Sequence, residues 1–260
     1  MIENLKELYR FRDLLLSLAI RDIKVRYRQS LLGVAWAILQ PVAFMTIFTI
    51  VFSKFAKMNS DGIPYPVFSY TGLVPWVLFS TVISLSVNSV AANMGLVKKI
   101  YFPREVFPLG VIIGCLVDFL VASILVAGLM FIYKVPVTLE IFWLPLLVGI
   151  EVVLLAGISL WASAVNVFFR DVKYIVPLVV QLGLFVTPVI YASSAVPGRM
   201  RMFYMLNPMA IVIENIRRVV LQGRPPEFLP VAVSAVAVTL FALLSYRYFK
   251  RAEVKFADLI

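Results

Sequence analysis

Residues 106–133 read VFPLGVIIGCLVDFLVASILVAGLMFIY, with Asp118 the one charged residue among them. A helix needs about 20 apolar residues to cross the hydrocarbon core of a bilayer, and this run exceeds that length. Its apolar residues are continuous rather than alternating at period 2, which speaks against a transmembrane β-barrel. Five further runs of the same kind flank it. Residues 29–53 lie between Arg28 and Lys54, and residues 62–97 between Asp61 and Lys98, where Gly62–Pro66 reads as a turn before a helix at 67–94. Residues 141–169 contain only Glu151; residues 174–198 and 228–246 contain no charge. The expectation is an all-α integral membrane protein with six transmembrane helices.

Composition agrees. Of 260 residues, 62% are hydrophobic and 15% charged, with a mean hydropathy of +0.97. A soluble domain is roughly 45–50% apolar and about a quarter charged. Lys and Arg number 24 against 14 Asp and Glu, a formal charge of +10. On a soluble chain that excess would suggest nucleic acid; beside apolar spans it marks cytoplasmic loops and anionic lipid, and no nucleic-acid partner is expected. Histidine is absent, which excludes His-based acid–base chemistry, His metal sites and Ser-His triads. Cys115 is the single cysteine, so neither an internal disulfide nor a thiolate cluster can form, and it reads as a small buried hydrophobe.

With six spans both termini share a side, and that side carries 16 of the 24 Lys and Arg residues, placing the termini in the cytoplasm. Two segments do not span. Residues 1–30 alternate Leu5, Leu8, Leu15, Leu16, Ile20 and Ile23 with Arg10, Arg12, Arg21, Lys24, Arg26 and Arg28, the pattern of an amphipathic interfacial helix. Residues 192–227 hold an apolar stretch, Met202 to Ile213, too short to cross. They read as two short re-entrant helices split near Asn207-Pro208. The chain is then one transmembrane domain, 1–260: interfacial helix 1–30, spans one to five within 31–191, external helices 192–227, span six at 228–249 and a cytoplasmic tail at 250–260.

No G-x-x-x-x-G-K-[ST] loop or other Gly-rich phosphate cradle occurs, so the chain holds no nucleotide site of its own. No carboxylate pair has catalytic or metal-ligand spacing. Asp118 and Glu151 are the ionisable residues well inside the spans. Each is a functional candidate by default; alternatively Asp118 is hydrogen-bonded within the bundle and Glu151 lies nearer an interface.

Three stretches carry a family resemblance. The first is Arg21-Asp22-Ile23-Lys24-Val25-Arg26-Tyr27-Arg28-Gln29-Ser30, leading into Leu32-Gly33-Val34-Ala35-Trp36 and Gln40-Pro41. The second is Lys98-Lys99-Ile100-Tyr101-Phe102-Pro103-Arg104-Glu105, followed by Pro108. The third is Asn166-Val167-Phe168-Phe169-Arg170-Asp171-Val172, with Thr187-Pro188-Val189-Ile190-Tyr191 and Asn207-Pro208. Together, over essentially the whole chain, they resemble the permease subunit of a type-2 ABC exporter. The similarity is to the branch that exports polysaccharides and polyol phosphates such as O-antigen, capsule and teichoic acid. The resemblance implies a non-enzymatic transport subunit in a bacterial inner membrane, working as a homodimer with two copies of a separate ABC ATPase. That partner would carry the ATP and Mg, with no cofactor in this chain. It also implies a glycolipid substrate, a glycan on an undecaprenyl pyrophosphate carrier. A small-molecule or drug efflux permease is the alternative within the superfamily; a proton-coupled carrier or a membrane glycosyltransferase is the alternative outside it.

Site residues follow from residue chemistry and the resemblance together. Lys98, Lys99, Ile100, Tyr101, Phe102, Pro103 and Arg104 interleave charge with apolar groups before a helix stop at Pro103. They suit either a short helix docking into a groove on the ATPase or a basic loop on anionic headgroups, and their place resembles the family's coupling helix. Arg170 and Asp171 form a second tight turn suited to partner contact or to local structure. Arg21, Lys24, Arg26 and Arg28 suit lipid anchoring, or the carrier's pyrophosphate at an entrance. Trp36, Gln40, Phe44, Phe48 and Phe52 recur every fourth residue, and Gln181 with Phe185 repeats the pairing of amide and aromatic. Such a row is either packing or a path on which sugar C–H faces lie against rings, and in this family the path runs between the first and fifth spans. Met200, Met202, Phe203, Met205 and Met209 make a soft external gate, and Glu214, three and four residues before Arg217 and Arg218, suggests a local ion pair there.

Overall fold

The computed structural model describes residues 2–28, 30–55, 60–97, 101–195, 204 and 206–256. Lys98, Lys99 and Ile100 of the coupling segment, and Met200, Met202, Phe203 and Met205 of the gate, lie outside the described residues. All regular structure among the described residues is helical, as a chain surrounded by lipid requires, because helices satisfy their own backbone groups.

Two helices open the chain, α1 (Ile2–Arg10) and α2 (Arg12–Tyr27). Then come α3 (Trp36–Phe48), continued by a π-helical stretch Thr49–Phe55, and α4 (Tyr65–Ser86). Two short turns follow, α5 (Ser89–Ala92) and α6 (Met94–Val97). The remainder comprises α7 (Val106–Ile132), α8 (Leu144–Phe168), α9 (Val172–Val186), α10 (Pro208–Leu221) and α11 (Phe228–Glu253).

Five helices are long and apolar enough to cross a membrane: Trp36–Ser53, Tyr65–Ser86, Val106–Ile132, Leu139–Phe168 and Phe228–Glu253. The sixth expected run, 174–198, yields only α9, whose 15 residues measure about 22 Å against a hydrocarbon core of about 30 Å. The expected helix at 67–94 also ends early, at Ser86. Ser86, Ser89 and Asn93 there donate to the carbonyls of Ile83, Ser86 and Ser89 at 3.3, 2.7 and 2.8 Å, and such side-chain bonds compete with the helical ladder.

α4 is the hub. Most of its residues are buried, and α3, α7, α8, α9 and α10 all pack on it. α11 lies along α8, where a Cβ at Gly157 would stand 2.9 Å from Phe241 Cδ1; glycine lets the two helices close. α10 opens on a side-chain cap, Asn207 Oδ1 accepting from the backbone N–H groups of Met209 and Ala210 at 3.0 and 3.4 Å, with Pro208 at the first helical position, as helix starts favour. It is buried on nearly every side, so it is an inserted helix and not a surface one.

Residues 1–30, expected as a single interfacial helix, hold two helices. The segment breaks at Phe11, and α2 runs lengthwise against α7. A Cβ at Gly110 would lie 3.8 Å from the Ala19 nitrogen and Leu15 oxygen, and one at Gly114 3.6 Å from Ile23 Cγ1. Eight residues further along α2 from Ala19, Tyr27 reaches Asp118. The two helices therefore ascend side by side for about 12 Å. A Cβ at either position would make ordinary van der Waals contact with α2, so the two helices pack directly on each other.

One aromatic cluster gathers the basic end of the molecule: Leu18 of α2, Met94, Phe102, Phe107, Leu160, Phe249 and Phe256. At the opposite end Tyr65, Phe68 and Ala192 pack with Phe48 and Phe52.

Candidate functional site

Two cavities meet at Gln40. The first, about 270 Å³, lies between the end of α2, α3, α4 and α7, and Arg26, Tyr27, Trp36, Gln40, Cys115 and Asp118 line it. Its wall is a polar triad. The Arg26 guanidinium pairs with Asp118 and also reaches Cys115 Sγ at 3.4 Å, while Tyr27 Oη donates to Asp118 Oδ1 at 2.7 Å. Burial and the bond to Asp118 push the Tyr27 phenol up to about 12, so it stays a donor at any physiological pH.

The second cavity, also about 270 Å³, opens between α3, α4 and α9, lined by Gln40 and Phe44 on one side, Trp76, Ser80 and Ser84 on another, and Gln181 on the third. Amides and rings thus converge from the helices of the first and fifth apolar runs. Phe48 and Phe52 line neither cavity. They stack in sequence with Phe44, centroids 5.9 and 5.7 Å apart, and close the aromatic cluster at the far end. Phe185 points outward, 61% exposed. The expected single row therefore divides: residues four apart drift about 40° per step, so Trp36 and Phe52 lie on different sides of the helix. The outer faces of α3 and α9 remain uncovered, with Trp36, Leu39, Ile47, Leu178, Leu182 and Phe185 exposed.

At the basic end the coupling segment splits too. Tyr101 is 79% exposed, whereas Phe102 is 6% exposed and meets Phe107 edge-on, ring centroids 5.4 Å apart. Pro103 is buried, and Arg104 turns inward to bond Glu253. Arg170 and Asp171 stand exposed on the tight turn between α8 and α9. The residue holding that turn is Asn166, whose Oδ1 accepts from the Lys173 N–H at 3.0 Å. With Asn88, Met94, Arg170 and Lys173 it bounds a cavity of about 340 Å³. Asn166 stands in the third motif, but nothing in its spacing announces this role.

The four cations of the entrance cluster diverge. Arg26 is committed to Asp118, and Arg21 pairs with Asp22 at 2.9 Å and reaches Asn93 at 3.3 Å. Lys24 and Arg28 are exposed. Asp118 is thus hydrogen-bonded within the bundle. Glu151 is fully buried, and neither carboxylate oxygen has a partner among the described residues.

The ion pair expected around Glu214 is not formed. Glu214 accepts from Ser193 Oγ, and Arg218 turns to Glu227 at 2.9 Å. Arg217, 4% exposed, enters the bundle instead. It donates to the carbonyl oxygens of Phe68 at 3.1 Å, Val189 at 2.5 Å and Pro188, with its guanidinium carbon 3.7 Å from the Phe68 ring centroid. Pro188 and Val189 lie just past the end of α9, where carbonyls have no helical partner, and a buried carbonyl demands one. Met209 is buried in the first turn of α10.

Residues 13–221 match the ABC-2 type transporter family, a span containing every candidate residue above except those at the end of α11. Over the whole of both chains the protein is 32% identical to an O-antigen export system permease protein, RfbA, of Myxococcus xanthus. It is 31% identical to an RfbA of Klebsiella pneumoniae, over 91% of this chain and 93% of that one. Identity to the polysialic acid transport protein KpsM of Escherichia coli is 26%, over 88% of each. Five apolar helices, a matched family and relatives that are transport subunits leave one placement: this multi-pass membrane protein belongs to the ABC-2 type transporter family.

Proposed function

We propose that the chain is the permease subunit of an ATP-driven exporter that carries a lipid-linked, O-antigen-like polysaccharide out across the bacterial inner membrane. The named activities of the relatives support the substrate class. The observation that carries the reading is the convergence of Gln40, Phe44 and Gln181 on one cavity between α3 and α9. Rings offer flat apolar surface to sugar C–H faces, and amides bond hydroxyls from either side. A second copy of the chain, its α3 and α9 set against these, would enclose the path and cover the exposed apolar faces. Each contact must be weak, since a chain held tightly at every site could not advance; multi-site pores obey the same constraint.

In this reading α9 is the fifth of six spans, its shortness made good by the segment after Thr187 and by α10 re-entering from outside. The basic end faces the cytoplasm with both termini, consistent with 16 of 24 Lys and Arg residues on that side. Two ABC ATPase subunits, holding ATP and Mg, dock there against the segment 98–104, with Tyr101 outermost, and against the Arg170–Asp171 turn. Arg21, Lys24 and Arg28 meet the pyrophosphate of an undecaprenyl-type carrier, and Arg26 shapes the cavity they lead to. Glu214, held by Ser193, and the methionines before it form the outer gate.

The test is Gln40→Ala with Gln181→Ala, in cells whose permease level and ATP hydrolysis are normal. Surface glycan should fall or shorten in each single variant and more in the double. Undiminished display in the double variant would return both amides to packing.

A further inference from the structure

Glu105 is the first unusual residue at the basic end. It occupies the N-cap position of α7, and its side chain makes no cap to that helix. Its side chain is instead fully buried and turned toward α11. There Lys250 Nζ donates to Glu105 Oε2 at 2.8 Å and to Glu253 Oε2 at 3.0 Å, and Tyr246 Oη reaches Glu105 Oε1 at 3.4 Å. Glu253 closes the ring. Its Oε1 accepts from the Arg104 backbone N–H at 3.1 Å, and its carbonyl accepts from the Arg104 guanidinium. Tyr246, Lys250 and Glu253 are spaced four and three apart, one face of the helix.

Aromatic rings seal the ring of charges. Phe102 meets Phe107 and Phe249 meets Phe256 edge-on at 5.4 and 5.7 Å, and Phe256 meets Phe168 at 6.0 Å. Phe168 ends α8, directly before the Arg170–Asp171 turn. The loop before α7, the last turn of α8 and the last turns of α11 are therefore held as one body. From this body α11 runs back along α8, closely enough that Gly157 admits no Cβ beside Phe241.

We infer that Arg104, Glu105, Lys250 and Glu253 form a clamp that delivers the ATPase stroke to the α8–α11 pair, making the end of α11 a coupling element. This rests on the reading that the ATPase docks at the segment 98–104. Lys250 and Glu253 act as positioning residues: they contact neither nucleotide nor glycan, and they bind the loop that moves to the helices that must follow. A loop tied to α7 alone would bend at Pro103 and dissipate the displacement. Interconnected polar contacts of this kind change coupling between sites by about two- to thirtyfold when cut.

The experiment uses the full permease purified with its ATPase and reconstituted in proteoliposomes, comparing the parent with Lys250→Met, Lys250→Arg, Glu253→Gln and the exposed-site control Arg251→Met. ATPase bound per permease, ATP hydrolysed and glycan exported per ATP are measured separately. Lys250→Met and Glu253→Gln should keep the ATPase bound and hydrolysing, while export per ATP falls about two- to thirtyfold. Lys250→Arg should restore most of it, and Arg251→Met should match the parent. Parental export per ATP in Lys250→Met and Glu253→Gln, with the ATPase bound, overturns the clamp and leaves the docking reading intact. Failure of both variants to accumulate in the membrane reduces the cluster to a structural support and also overturns it. A parental permease that retains no ATPase overturns the docking reading, and the clamp falls with it.

Discussion

Gly72 and Arg217 face each other within the bundle, and their contact permits a sharp test of what holds α10 in place. A Cβ at Gly72 would stand 2.2 Å from Arg217 Nη2, 2.8 Å from Cζ and 3.1 Å from the Val189 oxygen. Contacts below 3.0 Å force a shift, so Gly72→Ala must push the guanidinium out of its seat. The seat holds three hydrogen bonds to backbone carbonyls and one stacking contact on Phe68. Side-chain hydrogen bonds between membrane helices average about 0.6 kcal/mol and reach about 1.7, so three lost together amount to about 2–5 kcal/mol. Gly72→Ala alone should cost most of that, and Arg217→Met a similar amount. In the Arg217→Met background the space is vacated, and alanine is the better helix former by up to about 1 kcal/mol. There Gly72→Ala should become neutral or stabilising, the small squeeze on the Val189 oxygen aside. The assay is reversible unfolding of the detergent-purified permease, run as a double-mutant cycle. If Gly72→Ala destabilises equally with and without Arg217, the guanidinium is not what occupies the space, and the account of α10 anchoring is wrong.

Three further outcomes follow from the structure. Tyr101→Ala should weaken ATPase retention with unchanged thermal stability, whereas Phe102→Ala should destabilise the permease by about 3–5 kcal/mol, as loss of a buried ring does; equal effects on retention and stability in both would refute the division. Arg26→Met and Asp118→Leu should each lower the melting temperature by loss of about 1–3 kcal/mol, less than a fully buried pair because both side chains keep some exposure, and the double variant should recover part of it, since one unpaired charge is worse than none; strictly additive losses would show that the pair does not interact. Cysteines replacing Val137 and Arg224, in a Cys115→Ala background, should react with a membrane-impermeant thiol reagent added to intact cells and a cysteine replacing Arg251 should not; the reverse pattern would invert the topology. Gly223 is a poor choice for such a probe, because its φ is +58° and a Cβ there would sit 2.7 Å from Thr138 Cγ2.

What sequence reasoning could reach depended on whether the deciding partner was local. The long apolar runs were legible because hydropathy accumulates over a whole helix, and five of the six became helices long enough to span. Asn207-Pro208 was legible as a helix boundary because a cap and its N–H groups are two and three residues apart. The break after Ser86 was legible in principle, since Ser86, Asn88, Ser89 and Asn93 crowd polar side chains into an apolar run. Tyr101 and Phe102 are nearly the same residue by chemistry, and only the packing around the loop before α7 separates a surface ring from a core ring.

Arg217 shows where local reasoning stops. Its spacing from Glu214 is the spacing of a helical ion pair, and on an isolated helix that pair would form. In the bundle the competing acceptors are backbone carbonyls of Phe68, Pro188 and Val189, two of them left open because α9 ends at Val186. Their need is set by the shortness of a helix more than 20 residues away in the chain, so no window around Arg217 contains it. Asp118 follows the same logic: its partners come from the tip of α2, about ninety residues earlier in the chain, and they arrive because α2 packs along α7. In both cases an ionisable residue in an apolar run was a sound signal that something must answer it. What answered it was decided by which helix ends and which helix faces the fold brought opposite. A carboxylate such as Glu151, fully buried with neither oxygen answered among the described residues, stands out against these two because everything else charged in the described bundle interior has found its partner.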